Sequence, residues 1–343
     1  MKNSILTFLL ISFTLLSTSA QTTLILDNNS SDPMHYKTFA EAIEAATAGS
    51  TILVQGSGVS YGDITIDKAV NIYGPGFYIG ENPGTEHMST ATAKFGEVII
   101  SNGIEGTVLS GLDIRGICTI KGDKTFVQRN RIRAVRLENA NDVNILQNDI
   151  HGKIDNCSFG SIYVKENCNN ICIFNNYLFG EYTDCNNAHA QSVESTSSSS
   201  LKIKNNILQY GGTFHNSNLE SNIVISGTIP STSLNNNNTY FNNIFLNENS
   251  ELNEKNNNIT NAGTLMDLFD TTGEKTIVQR FTLKENSVAK GAGEDGTDAG
   301  IFGGAEPFVP SGIPGIPTVY SIEIQTNVND DNLKVKVKAR TNN

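Results

Sequence analysis

Tryptophan is absent from the 343 residues, and proline (8), cysteine (5) and histidine (5) are scarce. The missing Trp removes one common platform for stacking on sugar rings, although 10 Tyr and 16 Phe remain. Positive charge is thin: 24 Lys and Arg stand against 35 Asp and Glu, a net −11. Such an acidic balance argues against nucleic acid as the main partner. After the first 20 residues no apolar run approaches the roughly 20 residues a membrane-spanning helix needs. The N-terminus reads as a secretory leader, with Lys2 before an apolar stretch from Ile5 to Leu16 and small residues Ser17 to Ala20. Its removal takes Lys2 away and leaves a mature net charge of −11 − 1 = −12. The mature protein is expected to be secreted (periplasmic, surface-held or extracellular), without a transmembrane segment, and a monomer.

What the chain has in abundance is asparagine at a repeating place. Asn130, Asn148, Asn176, Asn206, Asn222 and Asn243 are each followed two residues later by an apolar residue, at spacings of 18, 28, 30, 16 and 21. A period of roughly 20–30 residues is the mark of a solenoid, whose units bury their apolar faces only by stacking. Val143-Asn144-Ile145 with Asn148-Asp149-Ile150 overlays Ile171-Cys172-Ile173 with Asn176-Tyr177-Leu178 without a gap. Alternation at period two places Val143, Ile145 and Ile150 inside. An inward Asn is costly alone, so the repetition points to stacked amides.

Ahead of the repeats, Thr38-Phe39-Ala40-Glu41 forms a capping box, and Phe39, Ala42, Ile43 and Ala46 share one helical face before Gly49. This amphipathic helix is expected to cover the open end of the first coil. Beyond residue 305, Pro307, Pro310, Pro314 and Pro317 read as an extended linker, and two alternating strands follow around a turn at Asn327 to Asn332. That tail is either a hairpin docked on the coils or an export or attachment signal.

The capping helix, the Gly111-Leu112-Asp113-Ile114-Arg115-Gly116 turn, the Asn corners and the segments Ser287 to Gly293 and Asp298 to Phe302 resemble the right-handed parallel β-helix (pectin-lyase-like) superfamily, in particular exported bacterial proteins of the Bacteroidetes type. The likeness spans about residues 35–305. It implies an all-β fold, a right-handed parallel β-helix over 21–305 after the leader 1–20, closed by an extension over 306–343. It also implies an extracellular acidic polysaccharide as partner, bound and in some members cleaved by a polysaccharide-lyase reaction. In such lyases a Lys or Arg removes the proton beside a uronate carboxylate that Ca²⁺ or Arg neutralises. The alternative class is a non-catalytic surface or matrix protein.

Register then nominates residues. Asp113 and Arg115, Arg131 and Arg133, Asp149 and His151, and Tyr177 and Phe179 flank the inward aliphatics and point outward. Arg131, Arg133 and His151 are the catalytic candidates; Arg115, Arg136 and Tyr177 are candidates for holding substrate, because guanidinium forks suit carboxylated or sulfated sugars. The competing reading makes Arg131 a mere ion-pair partner of Asp113 and Asp149. Farther along, these columns become Ile207, Ile223, Ile225, Ile244 and Leu246, an apolar strip that Ile313, Ile316 and Tyr320 are expected to cover.

His189-Ala190-Gln191 resembles a His-Ala-Asp turn of β-helix proteins with the carboxylate replaced, leaving His189 as a substrate contact. Glu138 and Glu166, taken as equivalent on successive turns, would with Asp142 offer hard oxygen ligands for Ca²⁺. Cys157 and Cys185 each lie nine residues after a ladder Asn, so register predicts a disulfide between neighbouring loops.

Overall fold

The computed structural model describes residues 22–341 apart from 83–84, 86–87, 155–159, 183–190, 227–235, 253–254, 274–275, 277–278 and 326–333. The leader, Cys157, Cys185 and His189 therefore lie outside the described residues. Two long parallel sheets, of ten and thirteen strands among the described residues, wind into a parallel β-solenoid. The thirteen-stranded sheet is bent: the long strands Leu112–Ile120 and Arg131–Leu137 each run through both of its halves. Each coil thus has three faces. The coil starting at Phe126–Gln128 turns at Asn130, crosses the second face at Arg131 and Ile132, and bends to the third at Val135 to Leu137. It returns at Asn144–Leu146, in register with Phe126–Gln128.

Alternation decides what lies inside. Along the first face Ile52, Ile72, Leu109, Val127, Ile145 and Ile173 pair coil on coil and are fully buried. The helix Phe39–Ala45 carries its capping box and buries Phe39, Ala42 and Ile43, with Phe39 edge-on to Phe95. No described helix is long and apolar enough to cross a membrane.

The corner between the first two faces is an amide ladder. The backbone N–H of Asn130 donates to the side-chain oxygen of Asn148 at 2.9 Å, and Asn148 does the same to Asn176 at 2.9 Å. The pattern continues through Asn206, Asn222 and Asn243 to Asn258, a seventh rung. Each Nδ2 before the last rung also donates to the next Oδ1, and every one donates to a carbonyl of the preceding coil, as Asn176 does to Ile145 at 2.8 Å. These buried amides lose no hydrogen bond on leaving water, which is what makes them tolerable inside. Asn258 escapes the sequence pattern because Thr260 stands where the other rungs have an apolar residue.

The residue before each rung is left-handed: Arg129, Gln147, Asn175, Asn205 and Ser221 have φ between 53° and 55°. That conformation turns these residues outward, onto a strap formed by the chain after the last coil. Asn205 Nδ2 donates to the Asp298 carbonyl, and Asn175 Nδ2 to those of Ile301 and Gly303. Gln147 Nε2 takes Glu306 and Pro307, and Arg129 Nη1 takes Ile313. The strap runs back along the solenoid from the coil of Ser221 to that of Phe77, whose N–H donates to Ser311.

Two expectations are corrected here. The apolar strip Ile207, Ile223, Ile244 packs with Leu268, Phe269, Ile301 and Phe308, and not with Ile313 or Ile316; the Tyr320 side chain is outside the described ones. Ile313 and Ile316 instead line a cavity of about 330 Å³ together with Leu53 and Tyr73, near the opposite end. The segments around Ser287 and Asp298, which resembled a last coil, belong to the strap; among the described residues the last parallel pairing is Ile244 with Ile259. The C-terminal strands Thr318–Gln325 and Lys334–Arg340 do form an antiparallel hairpin. Among its described side chains the apolar ones are uncovered: Val319, Ile322, Ile324, Val335 and Val337 are each 50–61% exposed.

Candidate functional site

Three outward columns carry the polar chemistry. On the second face Lys94, Asp113, Arg131, Asp149 and Tyr177 follow one another coil by coil. Asp113 is buried and accepts from Arg115 at 2.6 Å and from Thr92 at 3.1 Å. Asp149 is wholly buried and accepts the Tyr78 hydroxyl at 2.9 Å. Burial pushes its carboxyl up to about 6, against the pull of the Tyr78 hydrogen bond and the Arg131 charge. Burial, with the Asp149 charge beside it, pushes the Tyr78 phenol up as well. The Arg131 guanidinium lies 5.3 Å from the Tyr78 ring centre, a cation–π arrangement. One oxygen each of Asp113 and Asp149 has no hydrogen-bond partner.

This column is therefore closed over. Tyr78 stands on the long connection between Asn71–Tyr73 and Ala93–Phe95, and that connection is pinned to the strap by Gln279 donating to Asn82 at 2.6 Å. Arg131 does share register with Asp113 and Asp149, but its guanidinium meets the Tyr78 ring. Tyr177, nominated as a substrate contact, is 2% exposed, under the Phe281 ring at 4.7 Å. It is a core residue of the second apolar cluster.

The second column stands at the bend between the second and third faces and holds Arg115, Arg133, His151 and Phe179. His151 pairs in register with Phe179, and their rings lie 4.4 Å apart, edge to face. A register shift between Ile132 and Ala134 gives the Arg115 coil one residue more than the Arg133 coil. The Arg115 side chain is 57% exposed.

The third face carries Thr119, Arg136, Tyr163 and Glu194 in one column. Beside it Glu138 is held by Lys121 at 3.3 Å and Lys165 at 2.5 Å, with Arg136 at 3.9 Å. The hydrogen bond from Lys165, then that from Lys121, holds the Glu138 carboxyl below the usual range despite partial burial. Burial pushes Glu194 upward. A cavity of about 290 Å³ opens here, lined by Glu138, Tyr163, Lys165, Glu166, Asn167 and Thr196, with Asn139.

The proposed Ca²⁺ set does not assemble. Leu137 pairs with Val164, 27 residues on, but Asn144 pairs with Cys172, 28 residues on. The later turn thus holds one extra residue, and Glu138 faces Lys165 rather than Glu166. Asp142 accepts from Asn170 at 2.6 Å and is not part of the cavity lining. Among the described residues no three His, Cys, Asp or Glu side chains gather as a metal site, so these residues do not fit Ca²⁺. The predicted disulfide and the His189 contact fall outside the described residues; Cys118, Cys168 and Cys172 are free thiols.

Sequence reasoning missed Tyr78, Tyr163, Lys121 and Lys165. The last three stand in register with residues already singled out, and a correct alignment of the 138 and 165 turns would have found them. Tyr78 had no such signal, because it meets Asp149 across 71 residues from an irregular connection. No protein family, curated protein or solved structure gives a match to this chain.

Proposed function

We propose that this protein binds an extracellular acidic polysaccharide along the boundary between the second and third faces. The observation that carries the reading is the concentration of Arg115, Arg133 and Arg136 on neighbouring coils of a chain with net charge −11. Register places successive side chains of a column about 4.8 Å apart, so a linear polymer lying along the axis meets a cation or an aromatic ring at every coil. Guanidinium groups hold carboxylates and sulfates in planar, two-pronged bonds. The likeness of the Asn corners, the capping helix and the Gly111–Gly116 turn to the right-handed, pectin-lyase-like β-helices supports the same class of ligand.

Cleavage within this reading is β-elimination. Arg133, acting as the neutral guanidine, takes the proton next to the uronate carboxylate, Arg115 and Arg136 hold that carboxylate, and the bond to the leaving sugar oxygen breaks as a C=C bond forms, that oxygen taking its proton from solvent water. Arg131 has no part in it, being occupied with Tyr78 and Asp149. The test is incubation of the mature protein with uronate polymers, reading the new ultraviolet absorbance of unsaturated uronate ends and, separately, retention on immobilised glycan. Wild type retains uronate glycan, and Arg133→Ala weakens retention about tenfold and abolishes any absorbance. Equal retention by Arg133→Ala and wild type overturns the proposal.

A second reading, a non-catalytic surface or matrix protein, is favoured by the C-terminal hairpin. Its uncovered apolar side suits attachment, since a two-stranded hairpin is marginal alone. Retention without any unsaturated product is its signature.

A further inference from the structure

The third-face cavity has a charge balance that differs from the arginine ridge beside it. The lining contains one cation, Lys165, and two carboxylates, Glu138 and Glu166. Lys165 is already committed to Glu138, whose other oxygen is held by Lys121. The cavity therefore offers an incoming carboxylate no uncommitted cation, and exposed Glu166 repels one. What it does offer is the half-buried ring of Tyr163 and the hydrogen-bonding capacity that remains on Asn139 and Asn167, joined to each other at 3.4 Å, and on Thr196, joined to Ser199 at 3.3 Å. An aromatic face with amide and hydroxyl groups suits the C–H face and hydroxyls of an uncharged sugar. A volume of about 290 Å³ stands at the small end of ligand pockets, room for one sugar ring. Its position is equally telling: Tyr163 is the register neighbour of Arg136, one strand away.

Resting on the proposal that the ridge holds uronates, we propose that this cavity is a subsite for a neutral hexose or N-acetylhexosamine. The preferred polymer then alternates uronate with an uncharged sugar, and the ion-paired ladder Lys121–Glu138–Lys165 serves to pre-order the wall of that subsite. The order of affinities is set by desolvation and charge. A uronate ring in this cavity would bury its carboxylate beside Glu166 with no partner, which costs more than any polar contact there returns.

The experiment is calorimetric titration of the mature protein with hexasaccharides of equal length. Two alternate glucuronate with N-acetylglucosamine or N-acetylgalactosamine, and one is all galacturonate. Attraction to the arginine ridge alone favours the all-uronate chain, which carries twice the negative charge. The proposal predicts the reverse, at least one alternating chain binding tenfold or more tighter. Tyr163→Ala abolishes that preference, and Glu166→Lys, at an exposed position, shifts it toward galacturonate. Tighter or equal binding of galacturonate by wild type, or a preference that survives Tyr163→Ala, overturns the subsite. Binding of none of the three overturns the ridge proposal itself.

Discussion

Asp149 offers the sharpest test of the coil geometry, through Asp149→Asn compared with wild type at two pH values. The carboxyl titrates near 3.8 when unperturbed and near 6 in its buried place. A folded-state value above the unfolded one means that folding favours the protonated form. The associated stability is complete below about 4 and is lost as pH rises through about 6. The shift is about 2 units, and at about 1.4 kcal/mol per unit the term is on the order of 3 kcal/mol. Asn is nearly isosteric, still accepts the Tyr78 hydroxyl and does not titrate. Its NH₂ stands where the unpartnered carboxylate oxygen was, so it carries a fixed offset of either sign. That offset cancels when the same pair is compared at pH 4 and pH 7.5. Urea unfolding followed by far-ultraviolet circular dichroism, the chain having no Trp, should show the variant gaining about 2.4 kcal/mol, most of that term, relative to wild type between these two pH values. A gap that does not change with pH refutes the burial of Asp149 beneath Tyr78. Tyr78→Phe makes the complementary case. Without the phenolic donor the Asp149 carboxyl moves higher still, readable by carboxyl-carbon NMR titration.

Further outcomes follow from the amide ladder and the strap. Asn176→Ala strips the acceptor from both the N–H and the Nδ2 of Asn148 and removes a donor from the carbonyls of Ile145 and Phe174, the latter still held by the Gln147 N–H. At about 1–3 kcal/mol per buried orphaned group it should cost roughly 3 kcal/mol, whereas Lys202→Ala on the exposed side of the strand Leu201–Lys204 stays within about 0.5 kcal/mol in the same thermal melts. Gly312 has φ +61, and a Cβ there would lie 2.1 Å from the Phe77 ring. Gly312→Ala should therefore loosen the end of the strap, seen as faster amide exchange at Phe77, whose N–H donates to Ser311, with the central ladder unchanged.

Much of the site's frame was legible because a solenoid converts spacing into proximity. The interval of 28 residues between Asn148 and Asn176 is also the offset that sets His151 against Phe179. The Glu138 error shows the limit of that conversion. A single inserted residue in one corner changes the partner from Glu166 to Lys165, and Asn-rich corner sequence hides where the insertion falls. Tyr177 fails for a different reason: alternation correctly turns it out of the coil, but says nothing about whether another segment lies above it.

Local chemistry was thus enough to determine the coil. Alternating aliphatics, left-handed corner residues and amides that must pair with their own kind all act through neighbours at a fixed interval, so periodicity carries the information. The strap over Ile207 and Ile223, the Tyr78 cap on Asp149 and the cavity at Tyr163 were decided only in three dimensions. They join segments 71 to 184 residues apart, as at Tyr78–Asp149 and Arg129–Ile313, or depend on one corner's exact length. Non-periodic packing of that kind is selected by total buried area and matched hydrogen bonds, quantities that no single stretch of sequence contains.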